Sequence, residues 1–311
     1  MKSKIVVVGS LNMDLVIRTD SLPRMGETVI GKDFAMVPGG KGANQAVATA
    51  RLGAQVAMIG CVGNDLFGNK LVDTLQENHV DTRYIKRLDD VSTGIAVITV
   101  NRGDNCIILD SGANYRITPE DIEACVELIA GADVLVTQLE IPLDTVEAAL
   151  KVAKQNGVQT ILNPAPAQKL DDGLLGAVDV ILPNESETEL LTGIPLRDED
   201  SIGRALQVFQ EKGVAESVIT LGSRGTAYLS GGEVQFASSF PVKAVDTTAA
   251  GDSFVGALAV RMAQGAGIKE AVHFCNAVGA LTVTRRGAQP SLPALSEVEE
   301  FLRKAGVCTP V

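Results

Sequence analysis

The stretch DTTAAGDSF, Asp246 to Phe254, sets three small residues, Ala249, Ala250 and Gly251, directly before a lone acid, Asp252. If a helix begins there, its first-turn N–H groups and positive dipole end can hold an anion, and small side chains let phosphate oxygens come close. An acid in the same turn then stands where an attacking hydroxyl must give up its proton, which is the chemistry of phosphoryl transfer. The plainer alternative is that Asp252 only complements the helix dipole.

Other stretches carry groups suited to hydroxyls. In GGKGANQA, Gly39 to Ala46, consecutive glycines let a backbone approach a small polar ligand, while Lys41 and Asn44 offer donors; a tight turn before a helix, with Asn44 on the surface, is the alternative. In SLNMDL, Asn12 and Asp14 lie two apart and so share one strand face. An amide beside a carboxylate can clamp vicinal hydroxyls as sugar sites do, or the face is merely solvated. Asn184 and Glu187 in PNESETE follow a strand, so Asn184 either caps the next helix or meets a phosphate or a metal-bound water. VITLGSRG ends a strand at Thr220, Leu221 and Gly222, where a base or ribose could lie on the glycine. Arg285 and Arg286 in TRRGAQPS read as an exposed charge pair, and RDED and SEVEE as solvated helix ends. Walker loop, strand-linked GxGxxG and GxSxG elbow are all absent, which disfavours P-loop nucleotide binding, an NAD-dependent dehydrogenase and an α/β hydrolase.

The elements that must position these groups alternate. KIVVV is a buried strand leading into a half-exposed one, and QVAMIGCVG, ADVLVTQLE, QTILNP, VDVILPN and ESVITLG are further strands. GANQAVATARLG, GNKLVDTLQENHV, TPEDIEACVELIAG, PLDTVEAALKVAKQNG, SETELLTG and EDSIGRALQVFQEKG have helical spacing, the third with a Thr cap and Pro119 in its first turn. Strand, helix, strand at this interval predicts a parallel sheet with helices on both faces. Past Thr247 the chain reads as helical. Strands near 11–18 and 28–37, with a hairpin over 94–111 turning around Arg102–Asn105, predict a small separate sheet.

With 311 residues, 46% of them hydrophobic, the chain can bury a large core. The net charge of −11 argues against a nucleic-acid backbone as partner, and it means that an anionic substrate must be held by local donors or a cation. No apolar run approaches the ~18 residues of a membrane span and no signal peptide is recognisable, so a cytoplasmic protein with no membrane partner is expected. Five cysteines without CxxC spacing and only two histidines form no recognisable metal cluster.

In chain order GSLNMD, PGGKGANQA, STG, LNPAP, PNESETE, ITLGSRG, AVDTTAAGDSF and TRRGAQPS resemble the ribokinase-like (PfkB) sugar kinases, over essentially the whole chain. The resemblance implies one kinase domain over 1–311. Its fold would be a three-layer α/β/α sandwich with a mainly parallel central sheet and a β lid that covers the sugar and pairs two subunits as a homodimer. It implies transfer of the γ-phosphoryl group of ATP to the 5-hydroxyl of D-ribose; 2-deoxyribose, another pentose or a nucleoside are the alternative acceptors, and a non-catalytic sugar or nucleotide sensor the alternative class. By the resemblance Asn12, Asp14, Gly40, Lys41, Gly42, Asn44, Glu140 and Asp252 hold the sugar. Asp252 is the base, with Ala249, Ala250 and Gly251 as anion hole. Asn184, Thr220, Gly222, Ser223, Gly225, Gly251 and Asn276 line the ATP site, and Glu187 influences its Mg²⁺ indirectly. Asp246, Thr248, Val283, Arg286 and Ala288 surround K⁺ or another monovalent cation, largely through carbonyls. Met13 departs from the familiar pattern, which leaves the sugar's neighbourhood open.

Overall fold

Alternate residues of the first strand, β1 (Lys4–Val8), enter two different cores: Ile5 and Val7 pack into one apolar cluster, Val6 and Val8 into another. A strand apolar on both faces belongs in the middle of a sheet covered by helices on each side. The computed structural model, which describes residues 2–101, 104–230 and 232–307, has that architecture.

After β1 come β2 (Asn12–Thr19), β3 (Gly31–Gly39), α1 (Lys41–Arg51), β4 (Gln55–Gly63), α2 (Leu66–Glu77), β5 (Val80–Leu88), β6 (Gly94–Asn101) and β7 (Asp104–Asp110). Two short helices, α3 (Pro119–Glu123) and α4 (Val126–Ala130), lead to β8 (Val134–Thr137), α5 (Leu143–Gln155), β9 (Gln159–Leu162), α6 (Asp172–Leu175) and β10 (Val180–Ile181). Then follow α7 (Glu185–Thr192), α8 (Glu199–Glu211), β11 (Glu216–Thr220), β12 (Thr226–Ser230), β13 (Glu233–Ala237), α9 (Ala250–Ala263), α10 (Ile268–Thr282) and α11 (Leu295–Lys304).

The central sheet has nine strands in the order β13-β12-β11-β10-β9-β8-β1-β4-β5, parallel from β11 to β5, with β12 and β13 antiparallel at one edge. One face carries α1, α2, α9, α10 and α11, and the other is covered chiefly by α5, so the layers are α/β/α. Helix α9 is buried along nearly its whole length, which is why its sequence is apolar all round instead of striped. A second sheet of four strands, β3-β2-β6-β7, stands apart as a lid.

The lid strands differ slightly from the expected 11–18, 28–37 and 94–111. Residues 27–30 are not strand: Glu27 closes a turn on the Arg24 carbonyl and Ile30 is 93% exposed, so nothing lies beside them to pair with. Of the predicted hairpin turn, Arg102 and Gly103 lie outside the described residues, as does Cys308. Three strands went unread in the sequence. β5 (VDTRYIKRL) pairs on one side only and sends charged side chains into solvent, and β12 and β13 form the opposite edge. The helix expected over 118–131 is broken between Glu123 and Val126.

Candidate active site

The carboxyl ends of β1, β8, β9, β10 and β11 open onto one side of the sheet, where the chain crosses into loops and helix starts and where ligands of parallel α/β sheets bind. Asp252 sits there in the first turn of α9, 8% exposed. Its two carboxylate oxygens accept amide protons from neighbouring residues of α1: Asn44 Nδ2 donates to Oδ2 at 2.9 Å, and Gln45 Nε2 donates to Oδ1 at 3.0 Å. Asn44 is therefore buried and engaged, which excludes its surface alternative. The start of α9 is as open as its composition predicts. Ala249 takes the left-handed conformation, φ 60°, and no atom lies within 4 Å of where a Gly251 Cβ would stand. The Ala250 and Ser253 N–H groups bond to Thr247 and Ala249 carbonyls. Those of Gly251 and Asp252 fall in the first turn, where helix geometry supplies no acceptor.

Around this turn lies a cavity of ≈ 210 Å³, lined by Lys41, Asn163, Ala165, Leu182, Asn184, Glu187, Thr220, Thr247, Ala249, Gly251 and Asp252. Residues chosen from stretches more than 200 positions apart thus meet in one place. Asn163 and Thr247 were not singled out as site residues from the sequence.

On the lid side, Glu140 gathers the polar groups. Its Oε2 accepts from Ser10 Oγ (2.6 Å), from Asn12 Nδ2 (3.3 Å) and from the Lys41 backbone N–H (3.2 Å). Asn12 Oδ1 accepts from Asn114 Nδ2 (2.8 Å), and Asn114 also clamps both backbone groups of Leu11. Gly40 and Gly42 serve a purpose other than ligand approach: a Cβ on either would stand 2.6 Å from a backbone nitrogen of the chain leaving β1, so the start of α1 packs directly on that segment. Met13 also differs from expectation. It lies in the apolar core, on the strand face opposite Asn12 and Asp14, so its size does not shape the polar side of this cleft.

Toward β11, Asn184 caps α7. Its side chain accepts from the Glu187 N–H and the Glu187 carboxylate accepts from the Asn184 N–H, each at 2.8 Å. An isolated bridge from Asn184 to Thr220 carries the β10–β11 pairing to the cavity rim. Gly222 has φ +57° with open space around it, and Ser223 is exposed beside it. Gly225 is glycine because a Cβ would meet the Ala237 carbonyl at 2.0 Å. Asn276 is 5% exposed, and its amide donates to Thr226 Oγ1 and to the Ala237 and Ser238 carbonyls, tying α10 to the segment after β13.

Behind the α9 turn, Asp246 accepts from Thr248 N and Oγ1 (3.0 and 2.6 Å) and from Gly287 N (2.9 Å), so the segments of the expected cation loop do lie together. The Val283 carbonyl already accepts two N–H groups, from Val245 and Asp246, and the Ala288 carbonyl accepts the Ser291 N–H and hydroxyl, so these two fit a cation ligand least. Arg285 pairs with Glu297, while Arg286 is exposed.

Charge is concentrated here. Burial pushes the Asp14 carboxyl up from 3.8 to about 7, helped by Glu140 and Asp252 and opposed by Lys41. Burial would depress the Lys41 ammonium, but Asp252, Glu140, Glu187 and Asp14 together raise it, so it stays charged. Burial also raises Glu187 against the Asn184 N–H bond and Lys41. In Asp246, burial is outweighed by the N–H groups of Gly287 and Thr248, which hold the carboxyl below its usual range.

The chain is similar to known proteins in sequence and in fold. The sequence profile of the pfkB family carbohydrate kinases matches residues 2–295. A ribokinase of Haemophilus influenzae is 42% identical over 306 residues, covering 98% of this chain and all of the relative. A deoxyribokinase of Salmonella typhi is 36% identical over 300 residues, covering 96% and 98%. The structure of Arabidopsis thaliana ribokinase complexed with ribose and ATP superimposes with a TM-score of 0.92 at 34% identity, over 97% of this chain and 99% of that one. A match spanning both sheets and every segment that meets at Asp252 leaves one conclusion: the chain belongs to the pfkB family of carbohydrate kinases.

Proposed function

We propose that the chain is an ATP-dependent sugar kinase that phosphorylates the 5-hydroxyl of D-ribose, giving D-ribose 5-phosphate and ADP. The observation that carries the reading is Asp252, held by both oxygens in the open first turn of α9, between the hydroxyl-binding groups on the lid side and the cavity beneath β10 and β11. Asn12, Asp14, Asn44 and Glu140, with the start of α1, bind the sugar. The ATP phosphates enter the cavity, where Lys41 and the N–H groups of Gly251 and Asp252 meet the γ-phosphoryl oxygens, and the nucleoside extends past Thr220 toward Gly222, Ser223 and Gly225. As the sugar oxygen bonds to the γ-phosphorus, its proton passes to Asp252 and the bond to the β–γ bridging oxygen breaks. Charge gathers on the transferring group and on ADP, so most of the acceleration comes from these donors and from positioning, with Asp252 contributing ~10²- to 10⁴-fold as base.

Mg²⁺ bound to ATP neutralises developing phosphate charge. Among the described residues no cluster of acids is arranged to bind it alone, which suits a metal held chiefly by the nucleotide with Glu187 nearby. A monovalent cation, potassium, would be held in the loop behind α9 by Asp246 and the carbonyls of Thr248 and Arg286. Two copies pair through the lid, where Phe34, Met36, Ile107 and Ile108 are 56–73% exposed. Among the described residues no helix is long and apolar enough to cross a membrane, and we infer a cytoplasmic location.

The test is ADP release at saturating MgATP with D-ribose, 2-deoxyribose, fructose and adenosine, each with and without potassium. Ribose is expected to turn over fastest and potassium to raise its rate. Faster turnover on 2-deoxyribose would move the chain to the specificity named for its Salmonella relative, and no turnover on any of them would remove the kinase reading.

A further inference from the structure

We infer that Gln45 is a positioning residue for Asp252, held in one orientation by an amide network that runs across the carboxyl ends of three adjacent strands. The inference rests on the reading of Asp252 as the base. Gln45 is completely buried and reaches no ligand space, so its role is exerted through its partners. Its Nε2 donates to Asp252 Oδ1 at 3.0 Å and to Asn163 Oδ1 at 3.1 Å, and its Oε1 accepts from Gln138 Nε2 at 2.6 Å.

Asn163 is itself fixed, whereas Gln138, whose buried Oε1 has no hydrogen-bond partner among the described residues, takes its orientation from Gln45. Asn163, just after β9, donates from Nδ2 to the Leu182 carbonyl, just after β10, at 3.0 Å, which leaves its oxygen facing Gln45. Gln138, just after β8, is also fully buried, and its Oε1 lies where a Gly9 Cβ would stand, 2.0 Å away. An amide can flip and exchange donor for acceptor. Here a flipped Gln45 would turn its oxygen toward the Asp252 carboxylate and the Asn163 oxygen. The network therefore presents only a donor to Asp252, and with the Asn44 donor it fixes the carboxylate plane. Each carboxylate oxygen keeps a lone pair for the sugar hydroxyl. A base that must meet a hydroxyl at hydrogen-bond distance loses about 100-fold when misplaced by ~1 Å.

The test is a double-mutant cycle in the full-length enzyme, combining Gln45→Met with Asp252→Ala. Alanine is preferred to asparagine at 252 because an asparagine NH₂ would face the donors of Asn44 or Gln45. Gln45→Met, similar in volume, is expected to lower kcat ~10- to 100-fold with KM for ribose and ATP within ~3-fold, since substrate contacts remain. Added to Asp252→Ala it is expected to lower kcat no further. A second variant, Gln138→Met, removes only the anchor of Gln45 and should give a smaller kcat-only loss if Gln45→Met does not fold. Wild-type kcat in Gln45→Met, with Asp252→Ala inactive, would overturn the role of Gln45 alone, as would a full repeat of its loss in the Asp252→Ala background. Wild-type kcat in Asp252→Ala would overturn the base assignment and this inference with it.

Discussion

Asp14 gives the residue scale its sharpest consequence. Its carboxyl is pushed up to about 7 by burial and by the neighbouring acids Glu140 and Asp252, against the pull of Lys41. The folded protein therefore binds a proton that the unfolded chain releases at 3.8, and stability falls as pH rises from the unfolded value through about 7. Asp14→Asn removes that penalty, so its melting temperature should exceed that of wild type at about pH 8 and approach it near pH 4. Sugar binding runs the other way. The ionised carboxylate accepts from hydroxyls more strongly than the neutral acid does, so ribose affinity should tighten as pH rises through 7, and calorimetric titrations giving a flat profile would argue against Asp14 as a sugar ligand. In Asp14→Asn the pH dependence should vanish and affinity fall ~10- to 100-fold, the value of hydrogen bonds to a charged acceptor. Asp252 itself was legible as a candidate because three small residues before an acid at a helix start leave room for an anion, although an acid there also simply complements the dipole. Gln45, one residue from the recognised Asn44, was not, because no one-dimensional pattern says that two adjacent helix residues both meet one carboxylate.

At the scale of elements, the site is a set of helix starts. The capping box of α7 shows how structure and binding share residues: Asn184 and Glu187 satisfy each other's backbone N–H groups while both face the cavity. Asn184→Ala should destabilise the protein by about 1 kcal/mol, the ordinary worth of such a cap, measurable by urea unfolding. If the nucleotide lies against the start of α7 as proposed, the same substitution should also raise KM for ATP more than KM for ribose. Equal effects on both would make Asn184 a cap and nothing more. The sequence offered Asn184 as a cap only beside a second reading as a phosphate or metal-bound-water contact. It hid the edge strands, since β5 intersperses Asp81, Arg83, Lys86 and Arg87 among its apolar residues and β13 is half-exposed, so neither shows a clean apolar alternation.

For the whole molecule, the lid carries the prediction of a second subunit. The four-stranded sheet exposes Phe34 and Met36 on one edge strand and Ile107 and Ile108 on the other, large apolar side chains that a monomer would leave in water. Light scattering is expected to give twice the monomer mass, and Phe34→Asp with Ile108→Asp to return a monomer whose ribose KM rises several-fold while its core melts at nearly the same temperature. A wild-type monomer at micromolar concentration would remove the dimer and leave the lid to close over sugar unaided.

What the sequence determined by itself is the chemistry and the architecture: small residues before an acid, glycines before a helix, and strand–helix alternation are local patterns, each written in neighbouring residues. What only the tertiary structure decided is the company each group keeps. That Gly40 and Gly42 are glycine to admit another backbone, that Met13 faces the core, that Val283 has spent its carbonyl on two N–H groups, and that Gln138, Asn163 and Gln45 converge on Asp252 all depend on segments far apart in the chain. The physical reason is that a buried polar group is defined by its partners, and those partners are brought to it by the order of strands in the sheet, which no local stretch of sequence records.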